Sequence, residues 1–185
     1  MTYFPNPVAE PLPVIDLASQ ESLGPNLVAT GYAFNGGGSV TWFSANAALF
    51  IPLTLPKRIT AQVLWWANGA TVGYNVDCGV YDFTGTLLFH TGNTLSAGVS
   101  TIQAVSITAT AFGPGRFYMA ISCANASQTF QSTGDASAAQ TLMWVGMGVA
   151  YMAGANPLPA NATLATLSGQ AADMPQFGLA TRSFV

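Results

Sequence analysis

Apolar residues recur at every second position along most of this chain, and that period predicts strands. Val28, Thr30, Tyr32 and Phe34 alternate with Ala29, Gly31 and Ala33 before Asn35-Gly36-Gly37-Gly38 breaks the run. Leu49, Ile51, Leu53 and Leu55 alternate next, with Pro52 and Pro56 on the other phase. Proline cannot donate to a ladder, so this strand is expected at a sheet edge. Ile59, Ala61, Val63 and Trp65 follow against Thr60, Gln62, Leu64 and Trp66. The longest regular run sets Val72, Tyr74, Val76, Cys78 and Val80 against Thr71, Gly73, Asn75, Asp77, Gly79 and Tyr81, and predicts a half-buried strand. Asp82-Phe83-Thr84-Gly85 carries the residues of a tight turn, so 87–91 should return as the second strand of a hairpin. Residues 100–108 and 116–123 read as strands on either side of the turn Phe112-Gly113-Pro114-Gly115, and 129–131 as a short one. The run from 136 to 153 predicts a short helix or loop and then an extended segment. Residues 158–168 read as irregular, and 174–179 and 181–185 as closing strands.

Short strands separated by Gly/Pro turns indicate an all-β, antiparallel sandwich or barrel, and the lack of helix–strand alternation excludes a doubly wound sheet. The expected core is Val63, Trp65, Val72, Tyr74, Val76, Cys78, Val80, Phe117, Met119 and Ile121. Residues 1–26 differ from the rest. Pro5, Pro7, Pro11, Pro13 and Pro25 block regular structure, and Glu10, Asp16 and Glu21 lie among them. This segment reads as an extended arm ahead of one β domain at 27–185. Its apolar anchors, Tyr3, Phe4, Val14, Ile15 and Leu17, are candidate contacts with a neighbouring subunit; the alternative is that they fold back on their own sheet.

Composition narrows the function. Half of the 185 residues are hydrophobic (50%) but only 6% are charged, four basic and seven acidic. Soluble proteins carry about 25%. Lys57, Arg58, Arg116 and Arg182 cannot make a basic stripe, so nucleic acid is not an expected partner. The longest apolar run, 141–154, is shorter than the roughly 20 residues a spanning helix needs, so no membrane is expected. The start, Met1-Thr2-Tyr3-Phe4-Pro5, has no basic or apolar leader character, which suggests a chain made and kept in a cytosol. A surface so poor in charge is weakly protected against association, and self-assembly is expected.

Candidate chemistry is sparse. The one histidine, His90, lies on a predicted strand; Asp77, on an outward phase, and Asp82, in a turn, are the acids nearest to it in sequence. Neither a nucleophile elbow nor a phosphate loop occurs, and no cofactor, metal or catalytic residue is expected. Cys78 and Cys123 match no metal spacing and read as buried thiols, with a bridge between them left open. Trp42, Trp66, Tyr81 and Tyr118 fall outside the apolar phase. They are candidate exposed platforms for a glycan, unless each covers a second buried face.

The stretch Val76-Asp77-Cys78-Gly79-Val80-Tyr81-Asp82-Phe83-Thr84-Gly85-Thr86-Leu87-Leu88, followed by Thr91-Gly92-Asn93-Thr94, resembles a hairpin common in tailed-bacteriophage virion proteins. Phe112-Gly113-Pro114-Gly115-Arg116-Phe117-Tyr118-Met119-Ala120 is similar to a turn and strand of the same group. Leu158-Pro159-Ala160 and Pro175-Gln176-Phe177-Gly178-Leu179 look like the end of such domains. The likeness spans roughly residues 58–180 and is one of turns and strands. It implies a jelly-roll-like β-sandwich in a fibre, tail or capsid-decoration protein, assembled in the host cytoplasm and resident in the virion. Its expected partners are other copies, a trimer by analogy with phage fibres, other virion proteins, and in some cases a host-surface glycan. The group supplies no catalytic residues.

Overall fold

A computed structural model describes residues 27–29, 38–132, 150–164, 168–169 and 175–181. The candidate arm contacts Tyr3, Phe4, Val14, Ile15 and Leu17 lie outside the described residues, as does 133–149. The described chain is all-β. In order the strands are β1 (Leu27–Ala29), β2 (Ser39–Thr41), β3 (Ala47–Leu55), β4 (Ile59–Ala67), β5 (Asn75–Asp82), β6 (Leu87–His90) and β7 (Thr94–Leu95). They continue with β8 (Ile102–Phe112), β9 (Gly115–Cys123), β10 (Thr129–Gln131), β11 (Ala150–Met152), β12 (Ser168–Gly169) and β13 (Phe177–Ala180). Every pairing is antiparallel. One sheet has the order β1-β13-β4-β8; the other runs β12-β11-β3-β9-β5-β6, with β7 also on β5, and β10 pairs β2 separately.

The two large sheets pack as a sandwich. Alternate residues of β3 (Leu49, Ile51, Leu53, Leu55), β5 (Val76, Cys78, Val80) and β9 (Met119, Ile121, Cys123) meet Leu64 and Trp66 of β4 and Phe177 and Leu179 of β13. Each such side chain contributes about 1.5–3 kcal/mol on burial. Two core expectations need correction. The β4–β8 register shifts between Ala61 and Val63, and this irregularity flips the phase of the strand. Leu64 and Trp66 therefore point into the sandwich, while Val63 and Trp65 are buried on the opposite face. Val72 and Tyr74 precede β5 and are half-buried, and of the two Tyr74 packs against the core as expected.

The expected edge position of β3 is also corrected, since it lies between β11 and β9. Among the described residues β11 pairs Ala48, Leu49 and Phe50, and Pro52 lies opposite Tyr118 of β9, so the proline is held in an interior strand. Strand β5 is covered on both faces rather than one. Ala155, Leu158 and Ala162 lie over Phe50, Tyr81 and Ala120 on the outer face of the second sheet.

The predicted turn at 82–85 is present. Asp82 Oδ1 accepts from the Thr84 amide (2.9 Å), the Thr84 hydroxyl (2.6 Å) and the Thr86 amide (3.0 Å). Gly85 adopts φ +95°, and a side chain there would meet the Ala162 carbonyl. This turn, the β3–β4 turn at 56–58 and the β8–β9 turn at 113–114 all sit at one pole of the sandwich. The registers fix this: Asp82 opposes Phe117, Thr54 opposes Arg116, and Ile59 opposes Phe112.

Candidate functional site

The densest polar chemistry surrounds Asp77. The β5–β6 hairpin register places His90 opposite Gly79, on the same face as Asp77 and diagonal to it. His90 Nδ1–H donates to Asp77 Oδ2 at 2.9 Å. The Leu158 amide donates to the same oxygen at 3.0 Å, and the Thr91 hydroxyl to Oδ1 at 3.2 Å. The carboxylate is fully buried (0% exposed), whereas 39% of the His90 side chain meets solvent. Asp77 thus lies on the outward phase as expected, but beneath the 155–164 segment and not in solvent. Burial, and then the Asp77 charge, push the Tyr81 phenol up, and the same two causes raise the Cys78 thiol.

A buried carboxylate beside a half-exposed imidazole is two parts of a hydrolytic triad, and among the described residues no serine or cysteine is hydrogen-bonded to His90. The nearest serine in the cluster, Ser122, accepts from Asn156 Nδ2 at 3.0 Å and approaches the Asp77 carbonyl at 3.5 Å. Neither contact directs its hydroxyl to His90. The three donors on Asp77 come from β6, the residue after it, and the covering segment, so the carboxylate ties those elements to β5. The segment is held further by Tyr81 OH donating to the Pro159 carbonyl (2.7 Å) and by the Leu87 amide donating to the Ala160 carbonyl (2.9 Å). Among the described residues no group of three or more His, Cys, Asp or Glu side chains could hold a metal ion.

The polar end opposite the turn pole is closed by its own network. Trp66 Nε1 donates to Asn68 Oδ1 (2.9 Å), and Asn68 Nδ2 donates to the Ala97 carbonyl (2.7 Å). The Ser96 hydroxyl donates to Asn68 Oδ1 (3.1 Å) and accepts from Gln128 Nε2 (2.9 Å). Asn68, Ser96 and Gln128 are all buried, so this end is structural.

Most of the aromatic platforms expected from sequence are not available to a ligand. Trp42, Trp66 and Tyr81 are buried, and Tyr118 is half-buried against the covered outer face. The alternative, that they cover second buried faces, describes Tyr81 and Tyr118; Trp42 and Trp66 belong to the core between the sheets. Cys78 and Cys123 are free thiols in that same core. Among the described residues the large exposed aromatic is Phe83, 68% exposed at the tip of the β5–β6 turn and not among the platforms expected from sequence. With Asp82, Pro114, Gly115, Arg116 and Phe117 it lines an open groove of about 470 Å³ at the turn pole. Its turn position was the available signal, because a large apolar residue at the tip of a tight turn has no core to enter.

The β8 side of the first sheet supplies a second surface. Among the described residues strand β8 is an edge strand of 11 residues, none of them charged or proline. Beside its start Leu95, Val99 and Ile102 are 60%, 56% and 52% exposed. No protein-family model matches the chain, and no curated protein matches it in sequence.

Proposed function

We propose that the chain is a non-enzymatic structural component of a bacteriophage virion, a fibre, tail or capsid-surface protein acting through subunit–subunit contacts. The observation that carries this reading is the long β8 edge, unpaired among the described residues and without charge or proline. Edge strands of proteins that stay monomeric are blunted by lysine, proline, bulges or short length. Ile102–Phe112 has neither lysine nor proline, is long, and has one irregularity, opposite Gln62, that leaves its first half regular. The exposed Leu95, Val99 and Ile102 extend this surface, and no Asp, Glu, Lys or Arg occurs anywhere between Asp82 and Arg116. Such a surface suits burial against another subunit. The resemblance of the hairpin and the β8–β9 turn to phage virion proteins supplies the setting, a homo-oligomer of jelly-roll-like subunits. The nested pairing of β3 with β9 and β4 with β8 is compatible with that topology. The Asp77–His90 pair supports the non-enzymatic part, since its carboxylate is committed to holding the fold. Light scattering of the purified chain at tens of micromolar, with a search for the chain in purified particles, tests the proposal. A multimeric mass and presence in particles are expected; a clean monomer absent from particles overturns it.

A further inference from the structure

The turn pole concentrates the chain's positive charge. Lys57 and Arg58 are exposed on the β3–β4 turn, and Arg116 is exposed at the start of β9 opposite Thr54. The Lys57 carbonyl lies against Gly113, so the two basic turns adjoin. These are three of the four basic residues in the whole sequence. Among the described residues none of them is in an ion pair. The acid nearest to them in the groove, Asp82, already accepts three hydrogen bonds at Oδ1. At this pole Arg116 lines the groove together with Pro114, Phe117 and the exposed Phe83 ring, and Lys57 and Arg58 lie on the neighbouring turn. The occupant such a place selects is extended, apolar at intervals, and acidic.

We propose that this pole takes residues 1–26 of a second copy of the chain. The inference rests on the subunit-contact reading above and names the contact. Residues 1–26 hold Glu10, Asp16 and Glu21 and no Lys or Arg, so their charge complements Lys57, Arg58 and Arg116. Their five prolines favour an extended chain that loses little entropy on docking, and aromatic-lined grooves are the usual receptors for such chains. Tyr3, Phe4, Val14, Ile15 and Leu17 supply side chains for the Phe83–Phe117 surface. Geometry agrees. Strand β1 runs in the direction of β4, because each is antiparallel to β13, with Leu27 opposite Ala180 and Ala180 opposite Val63. The chain therefore enters β1 from the Ile59 end, the turn pole. At about 3 Å per residue, 26 residues reach roughly 80 Å, far beyond the radius of one domain of this size.

A charge swap in the full-length chain tests this. One variant reverses the pole (Lys57→Glu, Arg58→Glu, Arg116→Glu) and another reverses the arm (Glu10→Lys, Asp16→Lys, Glu21→Lys). All six positions avoid the described core, and unchanged thermal midpoints establish that both variants fold. Each variant alone should self-associate at least about tenfold more weakly than the wild type, since every arm then meets a pole of like charge. Mixing the two restores opposite charges only between unlike copies, so the two variants should bind each other at least about tenfold more tightly than either binds itself, with one like-charge junction left in any three-membered ring, and added salt should weaken that binding. Association unchanged in either variant alone overturns the proposal while leaving the subunit-contact reading intact. So do folded variants that bind each other no more tightly than they bind themselves. If an anionic oligosaccharide binds the wild-type pole while both variants associate normally, the groove belongs to a glycan and the proposal is wrong. A wild-type chain that is monomeric overturns the subunit-contact reading itself.

Discussion

Removing the Asp77 carboxylate should loosen one side of the sandwich before the rest. In Asp77→Ala three donors lose their acceptor, but not equally. His90 is 39% exposed and can turn to water, and the Thr91 hydroxyl has the Gly92 carbonyl at 3.1 Å as a second acceptor. The Leu158 amide has no such alternative, because it is buried where the covering segment meets β5. An unsatisfied buried donor costs about 1–3 kcal/mol, and truncating one member of a buried charge pair about 3–5 kcal/mol in all. We expect Asp77→Ala to destabilise by about 3–5 kcal/mol, a large share of the 5–15 kcal/mol typical of a domain. Asp77→Asn keeps the volume and one acceptor oxygen and should lose about 1–3 kcal/mol. His90→Ala leaves two donors on the carboxylate and should lose less than Asp77→Ala. Urea unfolding followed by circular dichroism gives the three values. Hydrogen exchange gives the location: the amides of Leu158 and Ala162 should open faster than those of β3 and β9. A loss below about 1 kcal/mol for Asp77→Ala, or a Leu158 amide as protected as in the wild type, would refute the assignment of Asp77 as the tie.

Other expectations follow from the same packing. Leu64→Ala and Ile121→Ala should each cost about 2–5 kcal/mol, while exposed Thr60→Ala stays within about 0.5; equal costs at Thr60 and Leu64 would mean the phase of β4 is misread. Gly85→Ala combines a positive φ with a clash against the Ala162 carbonyl and should destabilise by at least about 1–3 kcal/mol, checked by the thermal midpoint. Burial pushes the Cys123 thiol up to about 11 and raises Cys78 as well, so neither should react with a disulfide reagent at pH 8 until the chain unfolds; fast labelling of the native protein would contradict this. The Thr84 hydroxyl, and then the amides of Thr86, Thr84 and Gly85, hold the Asp82 carboxyl below its ordinary value. The turn is therefore fully stabilised above the ordinary carboxylate range and loses that support only as pH falls through the lower folded value; Thr84 and Thr86 amide shifts that titrate at or above the ordinary value would count against it.

Strand positions were legible because period-two patterning, turn residues and β-branched content all point the same way, as at Val76–Val80 and Asp82–Gly85. The errors fall where a second layer intervenes. Tyr81 and Asp77 occupy the outward phase of β5, and that phase is solvent-facing only if nothing lies over the sheet. The 155–164 segment that covers them is irregular and carries no periodic signal of its own. The phase of Val63 and Trp65 fails for a different reason, since a register shift in the β4–β8 pair leaves no mark in a run of residues that are apolar on both phases. Pro52 is a third case: proline removes only its own donor, so a strand that carries one can still lie inside a sheet, as β3 does with Pro52 opposite Tyr118 of β9. The basic pole was hidden because Lys57, Arg58 and Arg116 are scattered in sequence, and only the pairing of β3 with β9 brings them together.

Symmetry separates the two proposed surfaces. An unpaired antiparallel edge such as β8 joins most simply to its own copy, which makes an isologous contact that closes at two subunits. An arm entering a neighbour's pole is heterologous, and it closes as a ring or runs on as a filament. A trimer is therefore consistent with arm exchange and not with β8 pairing alone. If arms build the oligomer, its β8 edges remain free to meet other partners. The two roles should then come apart on mutation. Placing lysine on the edge, as in Ser106→Lys with Thr108→Lys, should leave the trimer mass unchanged and reduce incorporation into particles. Deleting residues 1–13 should yield monomers that keep the thermal midpoint of the sandwich. If the edge variant instead dissociates the oligomer while the shortened chain retains its mass, β8 is the contact between copies, the assembly has even symmetry, and the ring is excluded.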